Sequence, residues 1–147
     1  MTELIAYGGL FWAALLAATL LPGASEGVLV ALIVSSTGDF WSLIAVATVG
    51  NTCGSVVNWL CGRYLARFQG RRWFPVSTDR VTRSSSFFRK YGLWTLLLAW
   101  APVVGDALTV LAGMLRVPLV SFTVIVGLGK FARYLFVAGL ALGWMTF

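Results

Sequence analysis

Residues 20–26 read Leu-Leu-Pro-Gly-Ala-Ser-Glu, and this stretch decides the fold because it breaks an apolar block and then adds an acid. A proline removes a backbone donor and frees a carbonyl group, and each unsatisfied backbone group is costly in hydrocarbon. Residues 100–106, Trp-Ala-Pro-Val-Val-Gly-Asp, repeat the design 80 positions later, again with an acid four residues after the proline. The predicted helix breaks are Pro22 with Gly23 and Pro102 with Gly105.

The sequence around both breaks is apolar enough to lie in a membrane. Of the 147 residues, 59% are hydrophobic and 11% are charged, and the mean hydropathy is +0.88. This composition predicts an all-α integral membrane protein with no room for a separate soluble catalytic domain. The apolar blocks are Leu4–Leu21 with a short continuation Val28–Val34, then Phe40–Cys61, Leu93–Leu115 and Val117–Phe147.

Basic residues are concentrated in one segment between the apolar blocks. Eight of the eleven cations fall between Arg63 and Lys90, where Asp79 is the one acid. Such a belt is typical of the cytoplasmic side of a membrane protein, and contact with anionic head groups is compatible with it. Duplex DNA is not a plausible partner. The candidate membrane-surface cations are Arg63, Arg67, Arg71, Arg72, Arg89 and Lys90.

The two halves of the chain repeat one design. Gly50-Asn51 and Gly54 correspond to Gly129-Lys130 and Arg133 at an offset of 79. We therefore predict one membrane domain, 1–147, in which two copies of a broken hairpin plus a transmembrane helix, residues 1–62 and 93–147, flank a basic cytoplasmic segment, 63–92. If each hairpin is re-entrant, the copies are inverted about an axis in the membrane plane, as in many transporters.

The alternative topology is four ordinary spans with kinks at the prolines. Two re-entrant hairpins would put both termini outside, whereas four full spans would put both inside with the basic segment.

Four ionisable residues within or beside the apolar blocks are candidates for a substrate or proton site: Glu26, Asp106, Lys130 and Arg133. Each costs about 2.5 to 3.5 kcal/mol at membrane depth, so they should pair inside the bundle. Structural alternatives stay open. Ser25 and Glu26 could cap a short helix that starts near Val28, and the cations could simply hold the halves together.

Asn51 and Asn58 share one predicted helical face with Gly54 between them. They are candidates either for interhelical hydrogen bonds or for ligand contacts. Gly50-x3-Gly54 and Gly139-x3-Gly143 are small-residue motifs of the kind that permit close helix contact. A homodimer through such faces is compatible with the sequence, because so few helices offer little interior for ionisable groups.

The sequence argues against an enzyme. It contains no histidine and no cluster of thiols or carboxylates, so neither a metal site nor any other cofactor is predicted. Residues 23–27 fit the hydrolase G-x-S-x-G pattern, but a membrane helix precedes them and no histidine exists to act as base. Cys53 and Cys61 are predicted to lie roughly 12 Å apart on one helix, as small packing residues. Because no Lys or Arg precedes Arg63, no cleavable signal peptide is predicted.

An ordered series of short motifs resembles the small, YqaA-type branch of the DedA family, which carries the VTT domain, also called SNARE-associated. The series covers nearly the whole chain, from about Leu15 to Tyr134. It consists of Leu21-Pro22-Gly23 with Ser25-Glu26, Gly50-Asn51-x2-Gly54-x3-Asn58-x3-Gly62-Arg63, Phe88-x2-Tyr91-Gly92, Trp100-x-Pro102-Val103-Val104-Gly105-Asp106, Ala112-Gly113-x2-Arg116 and Gly129-Lys130-x2-Arg133-Tyr134.

The resemblance implies a bacterial inner-membrane protein with two facing re-entrant hairpins that moves phospholipids or polyprenyl phosphates between leaflets, in some members with proton coupling. By motif, Glu26 falls in the family's first acidic hairpin and Pro102 at the proline of the second. Longer relatives carry arginines around that proline, in a pattern like R-F-x-P-x-x-R, where this chain has Trp100-Ala101-Pro102 and Gly105. We expect Lys130 and Arg133 to supply the positive charge instead.

The predicted function is thus a flippase or scramblase of a phosphate-bearing lipid. Two alternatives remain from the residues alone. One is a transporter of a small solute or ion that uses the same carboxylates. The other is a non-transporting envelope factor that docks through residues 63–90.

Overall fold

The computed structural model describes residues 1–19, 23–68, 78–101 and 104–145, and these residues form helices and no strand. This confirms the all-α prediction, while Pro22, Pro102, Arg71 and Arg72 lie outside the described residues. The α-helices are α1 (Thr2–Thr19), α2 (Ala24–Val34), α3 (Phe40–Leu65), α4 (Thr78–Tyr91), α5 (Val104–Met114) and α6 (Leu119–Met145), with 3-10 helices at Ala66–Phe68 and Gly92–Trp100.

Three helices in the described part of the chain are long and apolar enough to cross a membrane: Thr2–Thr19, Phe40–Phe68 and Leu119–Gly143. The two shorter apolar helices, α2 and α5, have 11 residues each and are therefore about 16 Å long, roughly half of a hydrocarbon core. Many large apolar side chains are exposed, including Trp12, Leu128 and Phe136. Such a surface suits lipid, so the chain is an integral membrane protein.

At the first break, Gly23 directly precedes α2. Its φ of 92° lies in the left-handed region that glycine adopts without strain, and α2 begins at once at Ala24. The expectation of a helix that starts near Val28 is therefore wrong. Ser25 and Glu26 lie inside the first turn of α2 and not at its N-cap, which is Gly23, so the expectation of a side-chain cap is also wrong. The Glu26 carboxylate does lie where the helix dipole favours an acid.

After α2 the chain returns to the beginning of α1. The Asp39 backbone N–H donates to the hydroxyl of Tyr7 at 2.9 Å. The Asp39 carboxylate then accepts from the Ser42 N–H at 3.0 Å, which caps α3. Helices α1 and α2 thus form a hairpin that opens at the N-terminal end of α3.

The second hairpin opens at the opposite end of α3. Helix α5 packs against α3 so closely that a Cβ at Gly62 would overlap the carbonyl of Val110, and a Cβ at Gly113 would overlap the carbonyl of Trp59. The indole N–H of Trp59 donates to the carbonyl of Val117, just beyond α5, at 3.1 Å. An inversion of the two halves about an axis in the membrane plane fits this arrangement and stays a prediction.

Two apolar clusters hold the halves together, one near each end of α3. Each combines residues from both sides of the basic segment, although the first draws mainly on the first half and the second mainly on the second half. The first cluster contains Leu10, Leu29, Ile33, Leu43, Ile44, Ala47, Tyr134 and Ala138. The second contains Trp59, Phe88, Leu96, Ala99, Ala112, Val117, Phe122 and Val126. The space between the clusters is where polar side chains meet.

Small residues permit the close approach of α1 and α3. A Cβ at Gly50 would lie 2.6 Å from the carbonyl oxygen of Phe11, and one at Gly54 would lie 2.5 Å from that of Leu15. The first small-residue motif therefore packs inside the protein. At Gly139 a Cβ would meet no atom of the described residues within 4 Å. A homodimer through that face stays a prediction.

Candidate functional site

The tips of both hairpins meet one small cavity beside the middle of α3 and α6. Its volume is about 10 Å³, which is close to the space that one water molecule needs. Residues of both halves, including three of the four ionisable candidates, share its wall. The lining residues are Ala17, Ala18, Gly23, Ser25, Asn51, Ala99, Ala101, Asp106, Lys130 and Arg133.

Lys130 is the most buried of the candidate cations, with 4% of its surface exposed. Its ammonium group donates to the Asn51 side-chain carbonyl. The Asn51 amide nitrogen donates in turn to the hydroxyl of Tyr134 at 2.6 Å, and that hydroxyl lies 2.8 Å from Ser25 Oγ. A continuous hydrogen-bonded network therefore runs from α6 through α3 to α2, and it fixes the Lys130 charge at the cavity.

Arg133 joins the two hairpin tips. One guanidinium nitrogen pairs with the carboxylate of Glu26, at the start of α2. The other donates to the backbone carbonyl of Trp100 at 2.7 Å, just before the second break. The side chains of Arg133 and Glu26 are 18% and 27% exposed, so this pair is reachable from the surface, unlike Lys130.

Asp106 faces both cations without touching either. It lines the cavity with Lys130 and Arg133, and both attract its carboxylate electrostatically. Among the described residues, however, it forms no ion pair within 4.0 Å. The two acids at corresponding positions of the halves are thus not equivalent, because among the described residues Glu26 forms an ion pair and Asp106 does not.

Asn58 lies outside the cavity and joins three helices. Its amide nitrogen donates to the Ala18 carbonyl at 2.7 Å and to the Thr109 hydroxyl at 3.3 Å. The Thr109 hydroxyl donates to the Asp106 carbonyl at 2.7 Å. These contacts favour the interhelical interpretation for Asn58, whereas Asn51 takes part in the central network.

An apolar groove leads away from Arg133 along the outer surface. It has a volume of about 400 Å³ and runs between the 3-10 helix 92–100 and α6, with Leu97, Trp100 and Phe136 among its walls. Arg133 is its one charged lining residue and also lines the central cavity. A single guanidinium therefore connects an apolar surface groove with the buried polar site.

The described candidates of the basic segment lie elsewhere. Arg63, Arg67, Arg89 and Lys90 are exposed and line neither the central cavity nor the groove. The Arg63 guanidinium lies 5.3 Å from the ring centroid of Trp59, and the Lys90 ammonium lies 5.6 Å from that of Tyr91. No group of three or more metal-binding side chains occurs among the residues that the structure covers.

Sequence reasoning missed three participants of the central site: Tyr134, Ser25 as a hydrogen-bond partner, and the Trp100 carbonyl. Tyr134 follows Lys130 by four residues and so lies on the same face of α6, a signal that the sequence did contain. The Trp100 carbonyl is a backbone group freed near a helix break, and only the fold reveals which donor it meets.

Comparison with known proteins gives consistent results over most of the chain. The family model described as VTT domain matches residues 4–142. Inner membrane protein YqaA of Escherichia coli is 39% identical over 138 residues, which cover 94% of this chain and 92% of that protein. An uncharacterized protein of Haemophilus influenzae is 37% identical over 132 residues, or 85% and 80% of the two chains.

A more distant relative has a name that states a substrate. Undecaprenyl phosphate transporter A of Staphylococcus aureus is 28% identical over 92 residues, which cover 57% of this chain and 45% of that protein. No solved structure matches the chain.

Proposed function

The chain belongs to the VTT domain family, also called the DedA family, and from this premise we propose that it moves a phosphate-bearing lipid between leaflets. It is an integral protein of the bacterial inner membrane. Its E. coli and Shigella relatives are named as inner membrane proteins, and three of its described helices are long enough to cross the bilayer. The transporter of undecaprenyl phosphate among its relatives supports a polyprenyl phosphate or phospholipid as substrate.

The observation that carries the proposal is the position of Arg133. A lipid crosses a bilayer slowly because its charged head group must leave water. Arg133 offers a guanidinium at the inner wall of an apolar groove and at the edge of the central cavity. In the proposed mechanism, the acyl or prenyl chain lies in the groove while the phosphate is neutralised by Arg133 and then by Lys130.

The two hairpins provide the path. In the proposal, α1 with α2, and the 3-10 helix 92–100 with α5, re-enter the membrane from opposite faces as two inverted repeats. Their tips meet at the cavity beside Asn51 and Lys130. A polar meeting point at half depth shortens the hydrocarbon that a head group must cross, and irregular backbone is tolerated where it lines such a cavity.

Glu26 acts as the gate in this mechanism. A cavity of about 10 Å³ is too small for a phosphate head group, so the present arrangement corresponds to a closed state. The phosphate competes with the Glu26 carboxylate for Arg133, and either lipid binding or protonation of Glu26 breaks the ion pair. Proton binding and lipid movement are thereby linked, while Asp106, whose carboxylate forms no ion pair with the described residues, attracts Lys130 back when the lipid leaves.

The proposal is tested with purified protein in vesicles that carry a fluorescent phospholipid or polyprenyl phosphate in one leaflet. We expect Glu26→Gln and Asp106→Asn each to reduce the transfer rate at least about tenfold while the protein remains inserted, because a neutral side chain cannot draw its cation back and reset the site after the lipid leaves. Unchanged rates in both variants would remove the carboxylates from the mechanism. Glu3, which is exposed in the first turn of α1, provides the matched control through Glu3→Gln.

The substrate class is tested with Arg133→Ala. We expect this change to slow phosphate-bearing lipids more than a neutral analogue such as diacylglycerol, because only the former needs a cation. Equal slowing of both lipids would assign Arg133 a structural role. Uptake of a small solute by wild type without any lipid transfer would instead favour the solute transporter.

A further inference from the structure

Two neighbouring arginines and a third from a distant part of the sequence converge on a second cavity, at the C-terminal end of α3. Arg63 lies in the last turn of α3, Arg67 in the 3-10 helix that follows, and Arg116 just after α5. They line a cavity of about 350 Å³ together with Leu60, Tyr64 and Ala66. It shares no lining residue with the central cavity or with the groove at Arg133.

The closest helix crossing of the described protein holds these arginines in place. Gly62 immediately precedes Arg63, and Gly113 lies three residues before Arg116; both glycines pack directly on the opposing backbone. Arg116 has a φ of 58°, in the left-handed region, and its N–H donates to the Gly113 carbonyl at 3.1 Å to close α5. The backbone positions of Arg63 and Arg116 are therefore set by helix packing, and Arg67 lies one turn beyond Arg63.

Among the side chains that the structure describes, which do not include that of Asp79, the positive charge of this cavity has no acidic counterpart. No carboxylate there forms an ion pair with Arg63, Arg67 or Arg116. The nearest compensation is the Trp59 ring beside Arg63. Like charges around one concave surface repel, and an anion with several oxygens removes that repulsion through bidentate guanidinium contacts.

The same cavity has an apolar rim. Leu60 and Tyr64 are 53% and 60% exposed and alternate with the arginines along the end of α3. Its volume falls within the range of pockets that hold whole organic ligands, so a free phosphate ion would leave most of it unfilled. We propose that this cavity binds the phosphate-bearing head group of an anionic membrane lipid, at a site separate from the central one.

The test measures binding, not transport. A short-chain phosphatidic acid is titrated into the full-length protein in neutral detergent, with native mass spectrometry as the readout. We expect Arg116→Gly to weaken binding at least about tenfold, since a charged hydrogen bond is lost. Glycine adopts a positive φ readily, so this variant keeps the fold, and an unchanged melting temperature verifies that. Arg63→Gln provides an independent second variant with the same expected loss.

Two controls test whether the lipid binds in this cavity or merely follows surface charge. Arg89→Gln removes an exposed cation of the basic segment outside the cavity and should leave binding unchanged. Equal losses in Arg89→Gln and Arg116→Gly would mean general surface charge and would overturn the proposal. If inorganic phosphate displaced the lipid at similar concentrations, the site would serve a soluble anion and the proposal would fail.

To separate binding at this cavity from binding at the central site, Arg116→Gly is also made in a protein that already carries Arg133→Gln. In that background the loss caused by Arg116→Gly should persist, because the two sites share no residue. If Arg133→Gln alone abolished lipid binding, the second site would be refuted while the proposed transport function would stand.

Discussion

At the residue scale, the ion pair between Glu26 and Arg133 joins the first hairpin tip to α6, and Arg133 reaches the second tip through the Trp100 carbonyl. We expect Glu26→Gln and Arg133→Gln each to lower the melting temperature in detergent by roughly 4 °C, because each leaves a half-buried partner without its counter-charge. The double variant should melt no lower than the worse single variant, since coupled losses are not additive.

A double-mutant cycle with a distant acid tests whether that coupling is specific. Glu3 is exposed in the first turn of α1 and makes no ion pair in the described structure. Glu3→Gln combined with Arg133→Gln should therefore give additive changes in melting temperature. Additive changes in the Glu26 cycle as well would mean that the pair contributes nothing to stability.

Residues also illustrate what the sequence can predict. Glu26, Asp106, Lys130 and Arg133 stand out because each is ionisable in or beside an apolar block, and such residues are expensive unless they meet. The individual partners were not predictable. Arg133 pairs with Glu26 and Lys130 with Asn51, while Asp106 touches neither cation, and these choices depend on helix rotations that no spacing in the sequence fixes.

At the scale of elements, the crossing of α3 and α5 depends on two glycines. A Cβ at Gly62 would overlap the Val110 carbonyl, so Gly62→Ala should force the helices apart and lower the melting temperature by several degrees. Gly139→Ala is the matched control, because a Cβ there meets nothing within 4 Å in the described residues and alanine favours a helix. We expect Gly139→Ala to leave the melting temperature unchanged or to raise it. If both variants melted alike, the close crossing would not limit stability.

Helix boundaries were predictable where the sequence contains residues that typically begin or end a helix. Asp39 caps α3, as the preference of helix N-termini for a short acidic side chain suggests. The start of α2 was missed because Gly23, with its left-handed backbone, directly precedes the helix, so α2 needs no further residues before Ala24 to begin. The 3-10 form of residues 92–100 was also beyond sequence reasoning, since its apolar composition equally suits an α-helix.

At the scale of the whole molecule, the repeat at offsets of 79 and 80 predicted two similar halves, and α2 and α5 indeed have equal length at that offset. What the repeat did not reveal is that the halves share their cores. Each apolar cluster draws on both halves, and both hairpins pack on α3 at opposite ends. Contacts between residues so distant in sequence leave no periodic signal, so they emerge only from the fold.

The topology of the whole molecule gives the last prediction. Asp39 contacts Tyr7, so the chain before α3 lies at the same end as the N-terminus, while the basic segment lies at the other end of α3. In a background without Cys53 and Cys61, we expect cysteines at Thr2 and Ser35 to react with an impermeant maleimide from the periplasmic side. A cysteine at Ser86 should react only from the cytoplasmic side, because the basic segment stays inside. All three residues are exposed, so differences in labelling report membrane sidedness and not burial. Labelling of Thr2 and Ser86 from one and the same side would require α1 to cross fully, and it would replace the re-entrant hairpins with four spans.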